Sequence, residues 1–254
     1  IFSGAQTLTF MSVILASIFK TDPGNVREGY FYDILDDNSP MTNHMQTDGM
    51  KYAFNVVKRL WPYTKGIEES LFPNLLRFTG GRCPFLITYP SAASWSRGTY
   101  VEGKLGTAKI PGSKMVYDRS TKTVEPCTLA RCPVAVVEGG NRPMFFAGGL
   151  HFLIPKLNDN LDMALDYAAF VSSNNDVRVK QGNFEPYRER HFNATWYAEA
   201  GWDATDAEMF LETTKTSMES THEQTVIDCS NKGVLAVAWE GALDEWLRIG
   251  PGEN

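Results

Sequence analysis

The sequence lacks the segments that several function classes require. No apolar run reaches the roughly 20 residues that a helix needs to cross a bilayer, and no cluster of lysine and arginine marks a nucleic-acid surface. Lysine and arginine number 24 against 30 aspartate and glutamate, a formal net charge of −6 over 254 residues. This acidic balance argues against nucleic acid as a partner. The length fits one large domain or two lobes.

Catalytic signatures are missing as well. The sequence has no Walker loop, no dinucleotide fingerprint, no Gly-x-Ser-x-Gly elbow and no His-Glu-x-x-His pair. The four histidines, His44, His151, His191 and His222, are scattered and favour structural or surface roles over metal ligation. We therefore predict no catalytic residue, no metal and no cofactor. Two distant carboxylates for glycoside hydrolysis are the alternative that the sequence leaves open.

No cysteine belongs to a Cys-x-x-Cys pair, which argues against a zinc site. Cys127 and Cys132 flank a proline-bounded loop, a spacing that fits either a local disulfide or two buried thiols. We predict the disulfide, with Cys83 and Cys229 paired to each other or buried. The even number of cysteines and the N-glycosylation sequon that begins at Asn193 both fit an oxidising compartment.

The longest apolar run covers residues 10–19 and is interrupted by two serines. No basic residue precedes it and no small-x-small cleavage pattern follows it, so we interpret it as a buried helix rather than the core of a signal peptide. The chain begins at Ile1 without a methionine, and we expect it to be processed or to be part of a longer polypeptide.

Apolar periodicity predicts helices that alternate with short apolar strands. The helices are expected at residues 5–20, 47–61, 160–173, 205–218 and 233–247. The strands are expected at residues 84–89, 105–110, 135–137, 144–146 and 152–154. The expected boundary signals are Thr47 or Asp48, Pro62, Asn160 and a capping box at 205–208. The alternation of helices and strands indicates an α/β fold.

Aromatic residues in loops beside glycine and proline are the candidate binding surfaces. Sugars expose C–H faces that stack on such rings, and hydroxyl groups that need fixed polar partners. A place in the core is the alternative for each ring. The candidates are Tyr89, Trp95, Tyr187, Trp196 and Trp202.

Four segments in a fixed order resemble the second half of extracellular solute-binding proteins of family 1, the carbohydrate-transport type with the periplasmic-binding-protein type 2 fold. The segments are GGRCPFLITYP at 80–90, KIPGS at 109–113, FAGGLHFLIP at 146–155 and EPYRERHF at 185–192. The resemblance covers about residues 5–250 and is best from 78 to 192. It implies a two-lobed α/β architecture that closes on a small solute by hinge motion and performs no catalysis.

The resemblance also implies ligand-binding positions in the first and third segments. Tyr89, Ser91 and Trp95 would lie at the mouth of the cleft, after the strand that leads to it. Gly148 and Gly149 match a Gly-Gly-aromatic motif in which the backbone approaches the ligand closely.

Two further positions concern the solute itself. The third segment departs from the family because Leu150 replaces the aromatic residue and His151 follows it, which points to another solute. In the fourth segment, Tyr187 and Arg188 would face the cleft from a lobe-crossing stretch. Arg188 would grip a hydroxyl or carboxylate group of the ligand, or form an interlobe salt bridge.

The chain path of the family implies that residues 1–105 and 190–254 form the second lobe and that residues 106–189 form part of the first. The strands that normally begin the first lobe are missing, so apolar edges would stay uncovered unless the chain continues upstream or another chain completes the fold.

We expect extracellular, cell-surface or periplasmic capture of a sugar or oligosaccharide in the interlobe cleft, with a membrane transporter as partner. The cysteine loop and the sequon suggest a eukaryotic surface version, such as an algal one. The alternative is a degenerate module that serves as a structural or assembly component of a larger extracellular complex.

Overall fold

The chain divides into two units. A computed structural model describes residues 4–22, 25, 28–33, 42–64, 71–133, 140–141, 145–146, 153–156, 158–218, 223–224, 241–242 and 245–246. Unit 1 comprises Ile1–Leu71, Ile110–Ala147 and Ser220–Asn254, and unit 2 comprises Phe72–Lys109 and Gly148–Glu219. These boundaries differ from those at 105 and 189 that the resemblance implies, and the assignment to lobes stays a prediction.

Helices dominate the described residues. The α-helices are α1 Gly4–Phe19, α2 Asp48–Thr64, α3 Leu71–Thr79, α4 Leu161–Ser173, α5 Asp176–Lys180, α6 Ala194–Ala198 and α7 Ala204–Met218. Two 3₁₀ helices cover Pro90–Ser96 and Glu189–His191. Within the described part, none of the helices is long and apolar enough to cross a membrane.

The strands are short and occur in pairs. They are β1 Tyr32–Asp33, β2 Thr42–Asn43, β3 Met115–Asp118, β4 Thr123–Pro126, β5 Phe145–Phe146 and β6 Glu223–Gln224. The pairs β1–β2 and β3–β4 are antiparallel, and β5–β6 is parallel. The periodicity does not predict the β3–β4 hairpin, although its turn has a signal in Asp118, whose carboxylate accepts from the backbone of Ser120 at 2.8 Å.

Four helix predictions are confirmed with small corrections. Helix α2 begins after Thr47, whose hydroxyl accepts from Met50 N at 3.3 Å, but it continues past Pro62 to Thr64. A proline in the last turn removes only one amide donor there, so the helix does not have to stop. Helix α7 begins one residue earlier than expected because Asp203, rather than Thr205, caps it. The helix predicted at 233–247 lies largely outside the described residues.

The strand predictions are less successful. Residues 84–89 form no strand, and Phe85 and Ile87 are 84% and 58% exposed. Residues 105–110 also form no strand, because the amides of Gly103 and Leu105 donate to the Asp206 carboxylate at 2.9 and 3.0 Å instead of to a neighbouring strand. Residues 153–154 are likewise not a strand. The strand at 135–137 lies outside the described residues, and 144–146 is confirmed at Phe145–Phe146.

Unit 1 is organised around α1. From residue 11 onward this helix is buried, except for the half-buried Ile14, and it packs against α2 and β3. Apolar side chains on all sides explain why both neighbours are needed to cover it. The contact with α2 is close: a Cβ atom at Gly49 would lie 2.6 Å from Cζ of Phe19. The interpretation of the apolar run as a buried helix is confirmed for these residues.

The C-terminal end of α1 is closed by two side chains. The Nδ2 group of Asn141 donates to the carbonyls of Ser17 and Lys20, both at 2.8 Å. Nη1 of Arg119 donates to the carbonyl of Phe19 at 2.6 Å. The last carbonyls of a helix lack partners within it and carry partial negative charge. A guanidinium group at this end therefore satisfies a carbonyl and complements the helix dipole.

A buried carboxylate holds that guanidinium group in place. Asp33 accepts from Nε and Nη2 of Arg119 at 2.7 and 2.8 Å, and Nε2 of His44 lies 3.1 Å away. Burial by itself raises the pKa of Asp33, but the close contact with His44 and the hydrogen bonds and charge of Arg119 outweigh it. The pKa of Asp33 therefore lies well below its ordinary value.

Unit 2 has its own core beneath α7. Trp202 stacks on Phe210 at 5.4 Å between ring centres, and both rings meet Tyr197 edge to face. Val179 and Leu211 complete the buried cluster. Asp203 caps α7 by accepting from the amides of Thr205 and Asp206 at 2.9 and 3.1 Å.

We expect Asp33→Asn to destabilise unit 1 at neutral pH and to flatten its response to acid. A carboxylate with a depressed folded pKa contributes stability that is present above its unfolded pKa of about 3.9 and is lost as pH falls towards the folded value. At pH 7 we expect the free energy of unfolding to fall by about 2 to 3 kcal/mol, less than for a fully buried pair, because Arg119 is 23% exposed.

Denaturant unfolding at several pH values between 7 and about 2 measures the stability of the Asp33→Asn variant and of the unsubstituted chain. Asp162→Asn, at an exposed position of α4, is the control. Equal acid sensitivity of Asp33→Asn and the unsubstituted chain would contradict the account.

Candidate functional site

The candidate site is a groove in unit 2, formed where the 3₁₀ helix Pro90–Ser96 meets the loop after α5. Proline at the first position suits the start of a helical turn because its amide hydrogen is not needed there. The amide of Ser91 donates to Oε1 of Glu185 at 3.2 Å, and Ala93 packs against the core of unit 2. Two segments that are about 90 residues apart in sequence are thereby joined.

We call this surface the Trp95 groove. It consists of two adjoining open depressions of about 540 and 410 Å³ that share Arg97, Gln181 and Asn183. The first is also lined by Val177, Lys180 and Ala200. The second is also lined by Leu76, Thr79, Ser94, Trp95 and Thr99.

An aromatic ring stands at one end of the groove. Trp95 contacts Phe72 edge to face, with ring centres 5.4 Å apart, and remains 45% exposed. Its indole therefore keeps apolar surface that a ligand can cover. The amides of Gln181 and Asn183 follow along the groove, and Asn183 Nδ2 donates to Gln181 Oε1 at 3.4 Å.

A fixed guanidinium group stands in the middle of the groove. Nη2 of Arg97 donates to the carbonyl of Ala200 at 2.7 Å, and its guanidinium carbon lies 5.9 Å from the ring centre of Trp202. Trp202 is itself fixed, since its indole N–H donates to the carbonyl of Lys180 at 3.1 Å. Arg97 is thus fixed against the core of unit 2 and lines both depressions of the groove.

Among the predicted binding residues that the structure describes, Trp95 lines this groove, and none of the others is among its lining residues. Tyr89 is 57% exposed immediately before the 3₁₀ helix, and Ser91 is tied to Glu185. Tyr187 is 44% exposed, two residues after Glu185. Trp202 is buried in the core, which is the alternative that the sequence leaves open for each ring. Gly148, Gly149 and His151 lie outside the described residues.

Arg188 belongs to an ionic network within unit 2. Its Nη1 lies 3.5 Å from Asp176, and Nη2 of Arg190 lies 2.7 Å from the same carboxylate. Nε2 of His191 is 3.0 Å from Asp176, and the contacts of His191 and then Arg190 hold the pKa of the Asp176 carboxyl below its ordinary value. The salt bridge of Arg188 joins parts of one unit.

The His191–Asp176 pair is built as a structural support. His191 is fully buried, and its Nδ1 accepts from the amide of Tyr187 at 3.3 Å. Nε2 must then carry the proton that it donates to Asp176. The ring also lies parallel to Trp196 with centres 5.6 Å apart. Both nitrogens are engaged, so neither has a nucleophile to activate. In the described part of the chain, no group of three or more His, Cys, Asp and Glu side chains is placed to hold a metal ion.

The predicted modification sites are accounted for in part. Cys127 and Cys132 lie at disulfide distance, as predicted, with Cα atoms 5.8 Å apart. Cys83 has no disulfide partner among the described residues, and Cys229, with which it was predicted to pair, lies outside them. Asn193 is exposed at the start of α6, where its side chain accepts from Trp196 N at 3.4 Å.

Sequence reasoning missed Arg97, Lys180, Gln181 and Asn183. A usable signal was present in Gln181-Gly182-Asn183, where two amide side chains flank a glycine that favours a turn. Comparison with protein-family models, with curated proteins and with solved structures finds no match to this chain. The residues of the groove are therefore the basis on which a function is inferred.

We expect Gly182→Ala to destabilise unit 2 and disturb the groove. Gly182 has a φ of +79°, and an added Cβ would lie 2.3 Å from Cβ of Ser94 and 2.6 Å from Trp202. The left-handed conformation alone costs about 1 to 2 kcal/mol for alanine, and the overpacking adds about 1 to 3 kcal/mol.

Gly98→Ala is the matched control for this substitution. Gly98 has a φ of +68°, but no atom lies within 4 Å of the added Cβ. The Gly98→Ala variant therefore measures only the cost of placing alanine in the left-handed conformation. Urea unfolding followed by tryptophan fluorescence compares the two variants. If Gly182→Ala is no less stable than Gly98→Ala, the packing of Gly182 against Trp202 does not hold the groove.

Proposed function

We propose that the chain binds a small polyhydroxylated solute, a sugar or oligosaccharide, outside the cell and without catalysis. The observation that carries the proposal is the Trp95 groove. It combines a half-exposed indole with the amide groups of Gln181 and Asn183 and the guanidinium group of Arg97.

The chemistry of the groove suits a saccharide. A pyranose ring offers an apolar face of C–H groups, which an indole covers favourably. Its hydroxyl groups both donate and accept, and an amide side chain can do both at once. Arg97 and Thr99 add donors beside the ring. A surface that mixes one aromatic platform with several fixed polar groups is typical of sites that orient a ligand.

The setting of the groove supports the same proposal. Trp95 follows the first segment of the resemblance, and Ser91 joins that segment to Glu185 in the fourth. The Cys127–Cys132 disulfide fits an oxidising compartment, and the exposed Asn193 is accessible for glycosylation. The roles of Tyr89, Ser91, Tyr187 and Arg188 in ligand binding, the interlobe position of the cleft and a transporter partner stay predictions.

One observation favours the second candidate, a structural component of a larger complex. None of the side chains of α4 is buried, and Leu161, Met163 and Phe170 are 51, 69 and 64% exposed. Exposed apolar side chains in such number mark surfaces that other proteins cover. A chain of this kind would need no small ligand.

We expect Trp95→Ala to weaken saccharide binding by about tenfold or more, because the stacking surface is removed. Binding of the full chain to a glycan array identifies the ligand, and calorimetry then measures its affinity for both forms. Tyr63→Ala, which removes an 84% exposed aromatic ring from unit 1, is the control and is expected to bind as the unsubstituted chain does.

Circular dichroism of each variant establishes that the fold is intact. If the folded Trp95→Ala chain keeps full affinity, the groove is not the binding site. If no glycan binds at all, the structural candidate is favoured.

A further inference from the structure

We propose that the solute of the Trp95 groove is an anionic saccharide, whose carboxylate or sulfate group pairs with Arg97. This inference rests on the proposed function and narrows the class of its ligand.

The first observation is the charge of the groove. Among the described residues that line its two depressions, Arg97 and Lys180 are charged and the others are neutral. The chain as a whole has a net charge of −6, so a cationic lining runs against the average of its surface. A groove with basic residues and no lining carboxylate attracts anions and disfavours cations.

The second observation separates the two cations. Nζ of Lys180 lies 3.0 Å from Oε2 of Glu199, which offsets its charge. The described contacts of the Arg97 side chain are a neutral carbonyl, that of Ala200, and the ring of Trp202. No carboxylate in the described part of the chain pairs with it. Arg97 therefore carries the uncompensated charge of the groove.

The third observation is that Arg97 is held in place before a ligand arrives. Its Nε is buried without a hydrogen-bond partner among the described residues. Gly201 leaves room beside the guanidinium group, because a Cβ atom at that position would lie 3.3 Å from Nη2 of Arg97. The Ala200 carbonyl and the Trp202 ring replace part of the hydration that the guanidinium group loses, but they bring no negative charge. A carboxylate or sulfate in the groove would supply that charge to the part of the group that lines the groove, while the buried Nε stays out of its reach.

The fourth observation is the contrast with Arg188. That arginine contacts the Asp176 carboxylate, which it shares with Arg190 and His191, so it has an acidic partner although one carboxylate does not neutralise two guanidinium groups. Of the two arginines, Arg97 is the one with no carboxylate partner in the described part of the chain. It also lines the same depression as Trp95, so one ligand can stack its ring on the indole and direct an acidic substituent to the guanidinium group.

The test compares matched glycans that differ only in charge. The full chain is titrated with trigalacturonate and with its methyl ester, which lacks the negative charges. Sulfated oligosaccharides and their desulfated forms on the glycan array make the same comparison for sulfate. The two pairs distinguish a carboxylate from a sulfate ligand. We expect at least one anionic form to bind about tenfold or more tightly than its neutral partner, with affinity that falls as salt is raised.

The variants assign this preference to one residue. Arg97→Gln is expected to abolish the preference for the anionic form while binding to the neutral form persists. Arg59→Gln, which removes an exposed arginine of α2 in unit 1, is the control and is expected to retain the preference. Arg97→Lys keeps the positive charge but lacks the parallel N–H donors of a guanidinium group. We expect this variant to show a reduced but measurable preference for the anionic form, which gives a second test if Arg97→Gln does not fold.

Equal binding of anionic and neutral partners, or an unchanged preference in folded Arg97→Gln, overturns this inference but leaves the proposed function standing. Binding of inorganic sulfate as tightly as of any sulfated glycan also overturns it, since Trp95 would then have no role. The absence of any glycan binding means that the proposed function itself has failed.

Discussion

The packing of Trp202 is the interaction on which unit 2 and its groove depend. One face of the indole stacks on Phe210 of α7, and its edge meets Tyr197 of α6. Its N–H donates to the carbonyl of Lys180 at the end of α5, and the guanidinium group of Arg97 lies against the ring. The loop after α5, the segment after the first 3₁₀ helix and α7 are therefore set by the same side chain. The groove is the surface that these elements leave open.

The arginines of the two units have different surroundings. In unit 1, Arg119 joins the end of α1 to Asp33, and its charge is paired inside the protein. Such a buried pair holds a specific arrangement and offers nothing to a ligand. In unit 2, Arg97 is anchored through a carbonyl and a ring, and no carboxylate among the described residues pairs with it. This difference is the physical reason for proposing that binding belongs to unit 2 and that the ionic cluster of unit 1 is a structural support.

Helices are easier to predict than strands because their signals are local. The period of apolar residues locates α1, α2, α4 and α7, and Thr47 caps α2 as expected. A strand needs a partner that the sequence does not name. Residues 105–110 have the composition of a strand, but Asp206 supplies acceptors for the amides of Leu105 and nearby Gly103, so no ladder forms. The β3–β4 hairpin escapes prediction because its strands mix buried, half-buried and exposed residues without a strong apolar run.

The sequence by itself determined that Cys127 and Cys132 lie close enough for a disulfide and that the first helix is buried, and it offered Trp95 as one candidate binding residue among several. Each follows from neighbours within a few positions along the chain. Only the tertiary structure decided that Arg97, Lys180 and Asn183 share one groove and that Arg188 is engaged by Asp176. Residues 95–97, 177–183 and 199–202 meet because Trp202 and Gly182 pack between them, and no pattern of local spacing encodes such a meeting.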